Sequence, residues 1–415
     1  MPHTLQLILL VLAAVVVVIV ACRLLRLPPI LAYLAVGVAV GPRALGWVPE
    51  SADIRRVAEF GIVFLMFSIG LEFSLPRLKA MHRAVFGLGL AQVAITVLIA
   101  TVGMYLFDQG WLVGLALGGA LAMSSTAIVS KMLVERMELG TPHGRDVMGV
   151  LLFQDLAVVA FLIAIPTLAR GSGDDLGQAL ALAALKAAFV LALITGLGQK
   201  PIRAWFHLVA RQRSSELFVL NVLLITLGLA ALTELAGLSF VLGAFLAGML
   251  IAETEYRYQV EEDIKPFRDV LLGVFFVSVG MYLDLNAVAR SLGLVLLLLV
   301  VPVLAKLSLV VLLARLFGLP LGAALRTGFY LAQASEFSIV LLALSSDLGI
   351  ISPALAQPVL AAMVLSMLLA PFLIHFSEPL VKKLTANDWL ARAAQVTQIA
   401  AQAMARQHHV IICGY

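Results

Sequence analysis

Polar side chains interrupt the apolar runs of this sequence at a few places, and their types suit cation or proton chemistry. Gln154 and Asp155 sit in Val150-Leu151-Leu152-Phe153-Gln154-Asp155-Leu156-Ala157-Val158-Val159, an apolar run that continues to Ile165. A charge at the centre of a membrane helix costs roughly 2.5–3.5 kcal/mol even on the lenient insertion scale. Asp155 is therefore a candidate to hold a cation or a proton. The bland alternative is a structural carboxyl bonded to a neighbouring helix. Gln154 points about 100° away around the same helix, so the two need not face one cavity.

Upstream, Ser124-Ser125-Thr126 breaks the run Ala122 to Lys131. Hydroxyls stabilise local unwinding, and freed carbonyls beside them make an oxygen-lined cation site. The same residues also serve as glue between helices. Downstream, Gln333, Ser335 and Glu336 interrupt the mostly apolar stretch from Gly328 to Leu344. Gln333 and Glu336 are three apart and share a helix face. Glu336 either ligates a cation or offsets the positive ends of broken half-helices; the second role is favoured. Lys306 lies deep in Val303-Leu304-Ala305-Lys306-Leu307-Ser308-Leu309. An intramembrane Lys calls for a carboxylate, with Asp155 the natural partner and Glu336 the other candidate. Snorkelling to an interface is the alternative.

These residues need membrane helices to position them. The 415-residue chain is 62% hydrophobic and 13% charged, with a mean hydropathy of +1.07; soluble domains carry about 25% charged residues. Its apolar runs are continuous rather than alternating, which predicts an all-α polytopic membrane protein in preference to a transmembrane barrel. About thirteen segments can be marked: 5–22, 29–45, 54–73, 84–107, 111–132, 147–169, 176–199, 216–235, 239–252, 270–283, 287–317, 321–347 and 353–380. The first lacks a basic region and a cleavage site and reads as a retained span. The eleventh is long enough to include a short flanking turn. Cys22 and Cys413 form no disulfide framework. The net charge of +4 comes from basic residues in short loops, so no nucleic-acid partner is implied. Most of the 28 Lys and Arg residues fall in loops on one side, which puts the N-terminus outside and the C-terminus in the cytoplasm.

An internal repeat accompanies this pattern. Leu34-Ala35-Val36-Gly37 matches Phe245-Leu246-Ala247-Gly248, Phe67-Ser68-Ile69-Gly70-Leu71 matches Val277-Ser278-Val279-Gly280-Met281, and Ser125 matches Ser335. All three share an offset of about 210 residues, the kind of symmetry that secondary transporters show. Matched segments differ by seven, an odd number, so the copies run in opposite directions: two inverted six-helix repeats with broken fifth and twelfth helices.

Residues 1–380 are thus expected to form the transmembrane domain and 381–407 a cytoplasmic linker helix. His408-His409-Val410-Ile411-Ile412-Cys413-Gly414-Tyr415 reads as the first strand of a truncated nucleotide-binding unit, because a β-branched run followed by Gly opens such a fold. Glu253 to Arg268 reads as a mixed, solvated cytoplasmic loop. His82, His143 and His207 read as solvated loop histidines.

Several stretches together resemble the Kef-type branch of the monovalent cation:proton antiporter superfamily, the glutathione-regulated potassium efflux systems. They are Phe60 to Glu72, Ser124-Ser125-Thr126-Ala127, Leu152-Phe153-Gln154-Asp155, Leu242 to Gly248 with Glu253 to Tyr256, Phe275-Phe276-Val277-Ser278-Val279-Gly280-Met281, and Ser335-Glu336-Phe337. The resemblance implies a core domain moving against a dimerisation domain, crossed breaks in the fifth and twelfth helices, an ion-binding Asp at Asp155 and a core Lys at Lys306. It also implies a homodimer and a cytoplasmic nucleotide-binding regulator. Nucleotide is expected only for that regulator, and no cofactor for residues 1–415. Branches with two adjacent acids resemble electrogenic sodium exchangers; Gln154 here favours one-for-one exchange and potassium. Ala334-Ser335 replaces the two glycines common in relatives.

The resulting expectation is a non-enzymatic antiporter of the bacterial inner membrane that exchanges potassium for protons. Asp155 with Thr126 holds the monovalent cation, Ser124, Ser125 and Gln154 complete its surroundings, and Lys306, Glu336, Gln333 and Ser335 compensate charge. A ligand-gated potassium channel and a sodium-selective antiporter are the alternatives.

Overall fold

A computed structural model describes residues 3–24, 29–48, 52–72, 80–170, 199–235 and 240–385. The described residues form helices and connecting turns, with no strand among them. Every predicted apolar segment but the seventh falls on a described helix. Segment 176–199, apart from its last residue, and the expected linker and strand at 386–415 lie outside the described residues. Among the described residues, six helices are long and apolar enough to cross a membrane, or seven if the bent pair Leu321–Leu331 and Glu336–Asp347 counts as one. Pro29–Val40 and Phe240–Ala252 are apolar but shorter. At 1.5 Å per residue, helices of that length reach only about 20 Å, against a hydrocarbon core of about 30 Å.

The short helices are held by close glycine contacts. A Cβ at Gly37 or Gly280 would collide with backbone of Val277 or Leu34, and one at Gly70 or Gly248 with backbone of Phe245 or Phe67. The second helix therefore lies against the tenth, and the third against the ninth. These two contacts exchange when the second and third helices are swapped for the ninth and tenth, as the sequence repeat requires. Small residues that let backbones approach are the usual device where no hydrophobic force acts between helices in lipid.

The elements depart from the sequence expectations in four places. The tenth helix begins at Arg257, not Val270, and runs to Tyr282 through Pro266. Its charged first half buries Val260 and Ile264, four apart on one face, so the expected loop is largely a packed helix. The eleventh segment is two helices, Leu285–Arg290 and Leu292–Leu316; Asp284 caps the first by accepting from the N–H groups of Asn286 and Ala287. A further helix, Gln199–Ala210, precedes the eighth segment. It buries Phe206 and Val209 and leaves Arg203, Trp205 and Leu208 exposed. Finally, the sixth helix starts early, at Pro142, and His143 in its first turn is only 3% exposed. It is a bonded, buried histidine rather than a solvated one.

The main core cluster surrounds the crossing of the two broken helices. Ala120, Met123, Val158, Phe337, Leu341 and Met367 are among its buried members. Lipid cannot drive these faces together, so dispersion and the hydrogen bonds at the breaks must hold them.

Candidate ion site

The fifth helix breaks where its sequence offers hydroxyls. Trp111–Ala122 ends at Met123 in extended backbone, and Thr126–Glu135 starts anew after Ser125, whose hydroxyl accepts from the Ile128 N–H at 3.2 Å. Serine is a preferred N-cap because its oxygen satisfies an orphan N–H of the first turn. The twelfth helix does the same. Leu321–Leu331 stops, and Ser335 caps Glu336–Asp347 by accepting from Phe337 N at 3.1 Å and Ser338 N at 3.2 Å. Ser338 Oγ accepts in return from Ser335 N at 3.1 Å, a capping box. The two halves are bent by 46°.

Each break strands carbonyls and N–H groups that would otherwise be orphaned in an apolar medium. Their partners tie the two breaks together. Ser338 Oγ donates to Ala120 O at 2.5 Å and Ser124 Oγ to Leu331 O at 2.8 Å, each hydroxyl reaching the opposite broken helix. Lys306 Nζ donates to Met123 O at 2.6 Å and to Gln333 O at 3.1 Å, one carbonyl from each break. The Ser124 N–H donates to Gln154 Oε1 at 2.7 Å, and Gln92 Nε2 donates to Ala122 O at 3.1 Å. Ala334 N–H finds Ser366 Oγ at 3.1 Å.

Asp155 lies on the sixth helix beside this crossing and is 8% exposed. Thr126 Oγ1 lies 3.2 Å from its Oδ1 and 3.4 Å from its Oδ2. Thr126 is the first residue of the second half of the fifth helix, so the positive helix end and a hydroxyl both approach the carboxylate. Gln154, 1% exposed, faces the break instead: its Oε1 holds Ser124 N–H and its Nε2 donates to Gln92 Oε1 at 2.8 Å. Glu336 is 5% exposed and opens the second half of the twelfth helix, where a carboxylate complements the dipole. Gln333 is fully buried, and neither Nε2 nor Oε1 has a hydrogen-bond partner among the described residues. An amide in that state costs about 1–3 kcal/mol.

Ser124, Ser125, Thr126, Gln154, Lys306, Gln333, Ser335 and Glu336 thus lie on or bond to the two breaks, with Asp155 next to them. Gln92, Ser338 and Ser366 were missed by sequence reasoning. The signal for Gln92 was present: it is an amide inside an apolar run, as Gln154 is. Ser338 follows the capping serine by three residues, the box spacing.

At the turn between the fifth and sixth helices, Glu138 Oε2 accepts from Tyr330 Oη at 2.8 Å and lies 3.0 Å from His143 Nε2. Tyr330 belongs to the first half of the twelfth helix, so this group clamps the turn leading to Asp155 onto the other broken helix. Burial pushes the Glu138 carboxyl up, but hydrogen bonds from His143 and Tyr330, with attraction from His143 and Arg326, outweigh it and leave the carboxyl below its usual range. A lowered folded value stabilises above the unfolded value of about 4.3. That contribution is lost as pH falls through the folded value. Glu138→Gln is therefore expected to be less thermostable than wild type at pH about 7, with the gap closing below about pH 4; a constant gap across that range would contradict the clamp.

A transmembrane sodium/hydrogen exchanger family model matches residues 10–377. The chain belongs to that family. It is 40% identical over 398 residues to a putative K(+) efflux antiporter KefB of Alkalimonas amylolytica, covering 94% of this chain and 59% of that protein. It is 39% identical over 396 residues to K(+) efflux antiporter 1, chloroplastic, of Arabidopsis thaliana, covering 93% of this chain and 33% of that one. These relatives place it in the Kef-type branch, as its motifs implied. The chain spans roughly a third to three-fifths of the length of these curated relatives. In structure it is similar to the sodium proton antiporter MjNhaP1 of Methanocaldococcus jannaschii, with a TM-score of 0.62 at 17% identity, over 91% of this chain and 99% of that one. That likeness establishes the exchanger fold. This member of the family is thus a multi-pass membrane protein of transporter type, built on two broken helices.

Proposed function

We propose that the chain exchanges potassium for protons by alternating access, with Asp155 as the site that both ligands share. The observation that carries this reading is the pairing of Asp155 with Thr126 at the break of the fifth helix. A carboxylate there, beside a hydroxyl and a helix N-terminus, offers a cation oxygen ligands and offers a proton a base. Ser125 and the break backbone extend that oxygen-lined surrounding. Occupancy by one ligand excludes the other, and an empty charged site crosses the membrane poorly. Coupling then needs no separate proton path.

Lys306 anchors both breaks through Met123 O and Gln333 O, three residues from Thr126 along the fifth helix, and in this reading it answers Asp155 when no cation is bound. Gln154, turned into the break, leaves Asp155 as the exchanging charge, which fits one-for-one stoichiometry. A cavity of about 490 Å³ is lined by Arg43, Ser278, Tyr282, Asp347 and Gln357 and by Leu162, about two turns along the sixth helix from Asp155. It is the route to the outer side under the charge-based orientation. Potassium follows the names of the K(+) efflux relatives. The same reading gives thirteen spans, a homodimer in a bacterial inner membrane, and gating by a cytoplasmic nucleotide-binding domain.

The test is counterflow in proteoliposomes. An outward potassium gradient is expected to drive protons inward against their own gradient. With the membrane potential clamped at zero a channel cannot do this, so passive collapse of both gradients would defeat the proposal. Sodium substituting fully for potassium would defeat the selectivity.

A further inference from the structure

Gln92 lies midway along Arg83–Leu106 and is fully buried. Its Nε2 donates to Ala122 O at 3.1 Å and to Thr96 Oγ1 at 3.2 Å, and its Oε1 accepts from Gln154 Nε2 at 2.8 Å. Thr96 spends its own proton on the main-chain carbonyl of Gln92 at 2.7 Å, so it offers the side-chain amide only a lone pair. Ala122 O likewise offers only lone pairs. The orientation of the Gln92 amide is therefore forced: nitrogen toward the break, oxygen toward residue 154. Residue 154 in turn meets a hydrogen from Ser124 N and a lone pair from Gln92. It must accept on one side and donate on the other. A neutral amide does both, whereas a carboxylate only accepts.

We propose that Gln92 is a positioning residue of the ion site. Through a one-directional relay, Ser124 N–H to Gln154 to Gln92 to Ala122 O, it pins the backbone on both sides of Met123. That fixes the register in which the Ser125–Thr126 end meets Asp155. The same relay keeps position 154 uncharged. The charged groups facing it are Asp155, next to Gln154 on the sixth helix, and Lys306, which reaches Met123 O from the eleventh; Glu336 opens the neighbouring half of the twelfth. The role assigned to the site rests on the antiport reading; the relay itself does not.

Acid isosteres test it. A protonated Glu carries one O–H donor and one acceptor oxygen, so Gln154→Glu and Gln92→Glu both complete the relay when neutral. Once ionised, each sets an oxygen against a lone pair. The expected result, in the reconstituted full chain, is a potassium KM within about twofold of wild type at low pH, rising at least about tenfold relative to wild type as the introduced carboxyl ionises. The turnover at saturating potassium should change much less. Gln92→Leu should raise KM about tenfold at every pH. Thermal stability of each acid variant relative to wild type should be highest at low pH and fall as pH rises through the range in which the introduced carboxyl ionises. Acid variants that follow wild type at every pH, or a Leu variant with wild-type KM, would overturn the proposal. If wild type shows no exchange, the antiport reading fails and the stability profiles alone decide on the relay.

Discussion

Asp155→Asn is expected to abolish proton-coupled potassium flux while leaving the protein folded. The reason is charge rather than shape. Asn keeps an oxygen that accepts from Thr126 Oγ1, which lies 3.2 Å from Asp155 Oδ1, so local packing survives. It has no ionisable group, so no proton can compete with the cation. It also has no charge: two unit charges about 4 Å apart attract by roughly 4 kcal/mol at an effective dielectric of 20, on the order of a thousandfold in cation affinity. Removing an intramembrane charge also removes its desolvation cost, so thermal stability should hold or rise. Flux in proteoliposomes and a melting curve on the same sample check both halves. Persistent coupled exchange in the variant would sink the assignment of Asp155, and a large loss of stability would make the carboxylate structural.

Lys306→Met has the opposite signature. Lys306 is 5% exposed, and its ammonium serves Met123 O and Gln333 O. Each carbonyl left without that donor in an apolar interior costs about 1–3 kcal/mol. The two carbonyls together set an upper bound of about 2–6 kcal/mol, from which the desolvation cost that leaves with the ammonium is subtracted; the net loss is expected as a fall in melting temperature together with lost transport. Lys306→Gln separates the two roles. Its neutral N–H groups can serve one or both carbonyls and should recover part of the stability, while exchange stays impaired because the cation that answers Asp155 is gone. A Met variant as stable as wild type would show that the breaks do not depend on Lys306.

The two substitutions probe residues that were both legible in the sequence, although the partners of Lys306 were not. Asp155 stood out because a carboxylate in a long apolar run is conspicuous by composition alone. The breaks were readable too, because hydroxyls that cap a half-helix act within three residues: Ser125 on Ile128 and Ser335 on Ser338. The repeat showed which glycines correspond. It did not show that Gly37 meets Val277 while Gly70 meets Phe245; those contacts join helices far apart in the chain. His143 was misread as solvated, since its burial depends on Glu138 and on Tyr330 of the twelfth helix. The charged start of the tenth helix was misread as loop because Val260 and Ile264 are isolated apolar residues in a charged stretch, and only their burial reveals a packed face.

The sequence by itself determined the medium, the helical class, the positions of the breaks and the intramembrane groups. All of these follow from local hydropathy, local capping and residue type. Tertiary structure alone decided the direction of Gln154, the recipients of the Lys306 protons and the part of Gln92. In a membrane protein the helix surfaces are apolar on every side, so periodicity does not say which face turns inward. The orphaned backbone groups at the breaks do say it, because in lipid each must find a partner. Those partners lie 30, 183 and 207 positions away in the chain, beyond any pattern of spacing.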